Sequence, residues 1–193
     1  MLGEVAKERV VLTSGAEPGD AIVLTKGIAI EGTAILAREA GNELRDAGVA
    51  PEVIERAREF LFTPGISVAR DAAIACDTVS AHSMHDPTEG GLATGLLEIA
   101  NAAGVGLLIE GDKIPVLPEA ERVCSALGLD PLGLIASGSL LATVAGEDAP
   151  KLIAALASDG IAAYEIGHVT PAADGMRLRT PDGIRDLPSF ERD

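Results

Sequence analysis

Glu17-Pro18-Gly19-Asp20-Ala21-Ile22-Val23-Leu24-Thr25-Lys26-Gly27-Ile28-Ala29-Ile30-Glu31-Gly32-Thr33 is the stretch that decides the fold class. Its first four residues are turn formers. Residues 21–25 then run almost unbroken through apolar side chains, the mark of a strand covered on both faces. A glycine-bearing loop follows, and a helix begins near Thr33 and runs over 32–47 to a stop at Gly48. A doubly covered strand that feeds a helix belongs to a sheet with helices packed on it, a mixed α/β layer fold.

The same alternation extends in both directions. Upstream, residues 10–13 read as a short β-like run. Downstream, Pro51 opens a second helix over 51–62, with Thr63-Pro64-Gly65 beyond its end. Residues 67–76 look helical and 78–84 strand-like. The segment 87–103 carries Leu92, Leu96, Ile99, Ala100 and Ala103 at helical spacing, a buried stripe that ends at Gly104. Then come a strand over 105–110, a helix over 118–127 capped by Gly128, and strands over 132–136 and 140–145 around Ser137-Gly138-Ser139. A helix over 147–158, a strand over 161–169 and a hairpin over 176–187 around Pro181-Asp182-Gly183 complete the chain.

Composition bounds the function. The chain has 193 residues, 47% hydrophobic and 23% charged, enough for one domain with a real core. Its formal net charge of -15, with one Tyr, three Phe and no Trp, excludes nucleic acid as a main partner. Cys76 and Cys124 form no C-x-x-C pair, the usage of a reducing compartment where thiols mostly pack as small apolar residues. The N-terminal residues lack a signal-peptide apolar region, and the least charged stretch, 131–146, is broken by glycine and too short to span a bilayer. A soluble cytoplasmic protein is expected, with no membrane partner.

The chemistry concentrates in His82-Ser83-Met84-His85-Asp86-Pro87-Thr88-Glu89-Gly90-Gly91-Leu92. Asp86 suits an N-cap, Pro87 a first helical position and Glu89 a capping box. That alone is a well-made helix start. Gly90 and Gly91 add something, since each glycine in a first turn costs about 0.8–1.0 kcal/mol against Ala. Either the helix packs very closely on its neighbours or a ligand approaches its unpaired amides. A bare phosphate would be repelled by Asp86 and Glu89, whereas a phosphate carrying Mg²⁺ would satisfy both acids and amides. Lys26 and Gly27, in the loop after the first strand, form a second candidate, either a phosphate contact or a tight strand-to-helix turn. His82 and His85 fall on opposite faces of a strand and are not expected to share a metal; His85 beside Asp86 reads instead as a proton donor or an anion contact in a cleft. Ser137-Gly138-Ser139 reads as a turn between strands or, failing that, as amides lining the same crevice.

These segments resemble the C-terminal domain of the aminoimidazole ribonucleotide (AIR) synthetase superfamily, nearest its HypE hydrogenase-maturation branch and the AIR synthase-related proteins beside it. The likeness rests on residues 18–27, Ile30-Glu31-Gly32-Thr33, Met84-His85-Asp86-Pro87-Thr88-Glu89-Gly90-Gly91-Leu92, Asp112-Lys113-Ile114-Pro115-Val116 and Gly128-Leu129-Asp130-Pro131-Leu132. It implies a three-layer α/β/α sandwich with a mixed sheet, classed α/β (α+β), over 17–193, with 1–16 as the remnant of an inter-domain connection. It implies an ATP-dependent enzyme that activates an amide- or carbonyl-type oxygen by phosphoryl transfer, and this chain is expected to form a homodimer. Most ATP and Mg²⁺ ligands would come from an N-terminal domain, which this chain lacks. Transferred by position, Asp86, Thr88, Gly90 and Gly91 become cleft residues near the phosphates, Asp86 the metal ligand, and Lys26 and Gly27 further nucleotide contacts. No catalytic residue is assigned. The ending Ser189-Phe190-Glu191-Arg192-Asp193 departs from the terminal cysteine of HypE proteins. A relative, or half, of such an enzyme is therefore expected, silent when alone. The alternative is a non-catalytic small-anion-binding or assembly module.

Overall fold

The computed structural model describes residues 4–190. Strand β1 (Asp20–Thr25) is buried at all six positions and lies near the middle of a seven-stranded mixed sheet. The other strands are β2 (Ser83–His85), β3 (Gly106–Glu110), β4 (Leu141–Ala145), β5 (Ala163–Thr170), β6 (Met176–Thr180) and β7 (Gly183–Asp186), in spatial order β2-β4-β1-β5-β3-β6-β7. β1 runs antiparallel to both neighbours, with Ile22 opposite Thr143 on β4 and Gly167 on β5. β3 and β6 are the only adjacent parallel pair in this sheet.

Side chains alternating along β1 feed two cores. Ile22 and Leu24, with Leu107, Ile109, Leu141, Ile166 and Leu178, face helices α1 (Ile30–Glu39), α5 (Gly91–Ala103) and α6 (Pro118–Leu127). Ala21 and Val23, with Ala142 and Val144, face α4 (Ala69–Thr78) and α7 (Ala149–Ser158) through Ala75, Leu152 and Leu156. The result is the expected three-layer α/β/α sandwich. Outside the first layer, α2 (Gly41–Asp46) and α3 (Pro51–Arg58) join α1 and α6 around Leu44, Ile54 and Val123. The helix stripe read from sequence is buried from Leu92 to Ala100, with Leu92 and Leu96 fully so, and half-buried at Ala103.

Five segments differ from the sequence reading, each for a local reason. Residues 10–13 form no strand; Val10 and Leu12 are exposed and a 3-10 turn occupies Thr13–Gly15. The helix expected over 32–47 breaks between α1 and α2, because Arg58 Nε donates at 2.9 Å to the Ala37 carbonyl that a continuous helix would give to Gly41. The strand expected over 78–84 shrinks to Ser83–His85, since α4 continues to Thr78. Residues 132–136 are a loop: the Leu132 and Ile135 carbonyls accept from Ala93 and Gly32, and the Ala136 N–H donates to Thr88. Those groups tie two helix starts together and leave no ladder to build. Finally, the helix expected from Pro87 starts at Gly91, with Gly90 as its cap and no side-chain cap hydrogen bond.

Candidate functional site

Strand directions collect the candidate residues at one end of the sheet. β2, β3 and β6 run the same way as β1, so the turns that leave all four strands share that end. Ligand crevices of open α/β sheets form there. The loop 132–139 joins them from the other direction, ahead of β4.

In the turn after β2, Pro87 is buried and Asp86, Thr88 and Glu89 are exposed. Pro87 packs against Gly95, where an added Cβ would lie 2.8 Å from the proline Cβ. Burying the ring under the turn leaves its three polar neighbours outside. Gly90 and Gly91 both take left-handed backbone, at φ +74 and +65, a conformation that costs other residues about 1–2 kcal/mol. The two glycines answer different needs. Gly91 is buried against the carbonyls of Leu132 and Leu134, a close approach that leaves no room for a Cβ. Its own N–H turns inward to the Thr88 carbonyl at 3.1 Å, and Ala93 N–H donates to Leu132 at the same distance. Among the described residues, the N–H groups of Thr88, Glu89, Gly90 and Leu92 meet no protein acceptor. Close packing on the loop therefore accounts for Gly91, while Gly90 is required by its left-handed backbone and by the Thr94 side chain above it.

The turn after β1 is closed. Lys26 takes left-handed backbone (φ 60) and its ammonium lies 3.2 Å from Asp71 Oδ2, with the lysine side chain 9% and the aspartate 1% exposed. It also donates to the carbonyls of Ser67 at 2.7 Å and Gly138 at 2.9 Å, so the ammonium has three partners within the fold. Gly27 is buried, its carbonyl held by the Ser139 hydroxyl and its Cα facing the Pro115 carbonyl. Both residues act inside the fold rather than at an open surface. The remaining partner, Asp71, was not visible as a site residue in sequence, where it reads only as an acid in the first turn of α4.

His82 and His85 take separate carboxylates, Asp20 at 2.8 Å and Glu98 at 2.7 Å. Among the described residues no group of three or more His, Cys, Asp or Glu side chains is placed to hold a metal. Cys124 is buried, and loss of water, aided by the Asp130 carboxylate, pushes its thiol up to about 11. Cys76, by contrast, is exposed and does not pack as a core residue. A cavity of about 360 Å³ opens at the same end of the sheet, lined by Ile28, Ile114, Val116, Leu132 and Leu178, with Arg185 beside it. It shares Leu132 with the wall that seals Gly91. No helix among the described residues is long and apolar enough to cross a membrane.

Residues 17–177 match the family model for the AIR synthase related protein, C-terminal domain. The chain belongs to that family. Its similarities point the same way. It is 37% identical to carbamoyl dehydratase HypE of Cupriavidus necator over 180 residues, covering 88% of this chain and 46% of that protein. It is 31% identical to a putative hydrogenase expression/formation protein of Methanocaldococcus jannaschii, covering 97% and 53%. Among solved structures, hydrogenase maturation protein HypE in complex with ATP superposes with a TM-score of 0.72 at 26% identity, covering 98% of this chain and 56% of that one. The chain thus spans about half the length of the relatives it matches. The AIR synthase-related fold and the HypE-like branch expected from the sequence are both established.

Proposed function

We propose that this chain is the C-terminal, closing half of an ATP-dependent enzyme of the AIR synthase and HypE type, serving hydrogenase maturation or a related biosynthesis. The observation that carries the reading is the exposed turn of residues 86–90 at the carboxyl ends of the parallel strands. It offers unpartnered amides at Thr88, Glu89 and Gly90 beside the Asp86 carboxylate. The ATP-bound HypE structure that this fold superposes on supports a nucleotide as the ligand.

The donor set fits one part of a magnesium shell. Asp86 supplies a carboxylate oxygen, and the rest would come from phosphate oxygens, water and the N-terminal half. Bound Mg-ATP would supply the phosphoryl group that activates a carbonyl- or amide-type oxygen. The turn's own work is electrostatic. Fixed backbone donors near transferring phosphate stabilise developing charge without reorganising. Pro87, buried beneath the turn, and Gly91, sealed against residues 132–134, hold those donors in place.

The partner in this reading is the N-terminal ATP-binding half, so the chain alone is catalytically silent. Assay of the purified chain with Mg-ATP tests that directly. No turnover above background is expected, and hydrolysis at an ordinary enzymatic rate would overturn it. A metal-independent anion-binding module remains the second reading, favoured by the same free amides. Calorimetry with inorganic phosphate in EDTA separates the two, because only the module binds under those conditions.

A further inference from the structure

We infer that the buried Lys26–Asp71 pair is a positioning latch for the phosphate-facing turn, acting through the loop 132–139. This rests on the nucleotide reading above for its purpose, though its geometry stands alone. The connections can be followed atom by atom. Asp71 on α4 accepts from the Thr25 hydroxyl at 2.7 Å with one oxygen and meets Lys26 Nζ at 3.2 Å with the other. Thr25 Oγ1 accepts from the Leu140 N–H at 3.0 Å, and Lys26 Nζ donates to the Gly138 carbonyl at 2.9 Å. Two residues earlier on the same loop, the Ala136 N–H donates to the Thr88 carbonyl at 3.2 Å. The Ser139 hydroxyl ties the loop a second time, to the carbonyls of Gly27 and Ala136. One ammonium therefore fixes three strands of chain, namely the β1 exit, Ser67 ahead of α4, and Gly138.

Stability alone does not explain this device. Apolar residues of similar volume often replace a buried ion pair without loss, because desolvation offsets the attraction. Lys26 also sits in a left-handed conformation unusual for its type. What an apolar cluster lacks is direction. Two hydrogen bonds to carbonyls, anchored by the ion pair to Asp71, set the path of the loop, and the loop sets Thr88 and seals Gly91.

The test compares the full chain with a neutral double variant, Lys26→Met with Asp71→Asn, which removes both charges together so that neither is left buried and unpaired. Amide hydrogen exchange reads the latch, and calorimetry with Mg-ATP reads its consequence. Exchange of the Ala136 N–H is expected to quicken about tenfold or more, the factor that losing a hydrogen bond to a charged group represents. Exchange along the β1–β5 ladder stays as it was, and Mg-ATP affinity falls by about the same tenfold factor. Thr25→Val, an isostere that removes the hydroxyl between Asp71 and the Leu140 N–H without unpairing a charge, should give a smaller rise, which covers the case where the double variant fails to fold. Unchanged Ala136 exchange in either folded variant overturns the latch. Equal Mg-ATP affinity in wild type and variant overturns its positioning role. If wild type binds no Mg-ATP yet the exchange change appears, the nucleotide reading falls and the latch survives.

Discussion

The turns that leave β1 and β2 start from similar ingredients and finish as opposites. Each follows a strand of the parallel set, each contains glycine and a charged residue, and each leads into a helix of the same layer. After β1 the charge goes inside, where Lys26 meets a carboxylate that is 1% exposed. After β2 the charge stays outside, because Pro87 occupies the buried place and Asp86 is left at the surface. A charged residue beside glycine at a strand exit is therefore no guide to a ligand by itself. What decides is whether the fold brings a counter-charge beneath the turn. Asp71 does so for Lys26, while no equivalent cation lies under Asp86 among the described residues.

Substitution at the two charges should break the comparison most visibly. Lys26→Met leaves Asp71 buried and unpaired, which costs about 3–5 kcal/mol. Asp86→Asn changes an exposed side chain that caps nothing, so its effect on stability stays within about 0.5 kcal/mol. Urea denaturation of both variants measures the contrast, and equal losses would refute the inside–outside assignment. The two glycines sharpen the same point at smaller scale. Gly91→Ala combines left-handed backbone with a clash against immovable carbonyls and should cost about 2–4 kcal/mol. Gly90→Ala meets only Thr94, whose hydroxyl can rotate away while its Cβ must give by a few tenths of an ångström, and should cost about 1–2 kcal/mol. The reverse order would mean that the loop 132–139 does not seal Gly91.

The cysteines give the smallest effect. Cys76 should react at once with a thiol reagent at neutral pH, and Cys124 only when the fold opens. Because burial raises the folded Cys124 pKa, the unfolded chain loses its proton first. Stability should therefore decline as pH climbs from about 8.5, the unfolded value, toward about 11. Denaturation midpoints across that range, compared with Cys124→Ala, check the sign.

Much of the fold could be read from short stretches. The apolar run 21–25 implied a doubly covered strand, and β1 is that strand. Helix ends marked by Gly104 and Gly128 fell where expected. Residues 132–136 misled because Leu-Gly-Leu-Ile-Ala is as apolar as a strand. Its backbone groups are claimed by Gly32, Thr88 and Ala93, partners far away in sequence. Asp86 misled in part for a similar reason. Asp-Pro is a good helix opening locally, but the left-handed pair Gly90 and Gly91 postpones the helix to Gly91. The candidate turn itself was legible, because its proline and paired glycines carry their meaning within six residues. The Lys26 latch was not, since its counter-charge lies on another helix and nothing near Lys26 announces it.

Calorimetric titration of Mg-ATP into the wild-type chain and into Asp86→Asn tests the central claim most directly, that the exposed turn after β2 receives a metal-bearing nucleotide. Wild type is expected to bind only when magnesium is present, and Asp86→Asn, equally stable, to lose that binding. Binding that persists undiminished in the Asn variant, or that ignores removal of magnesium, would contradict the account.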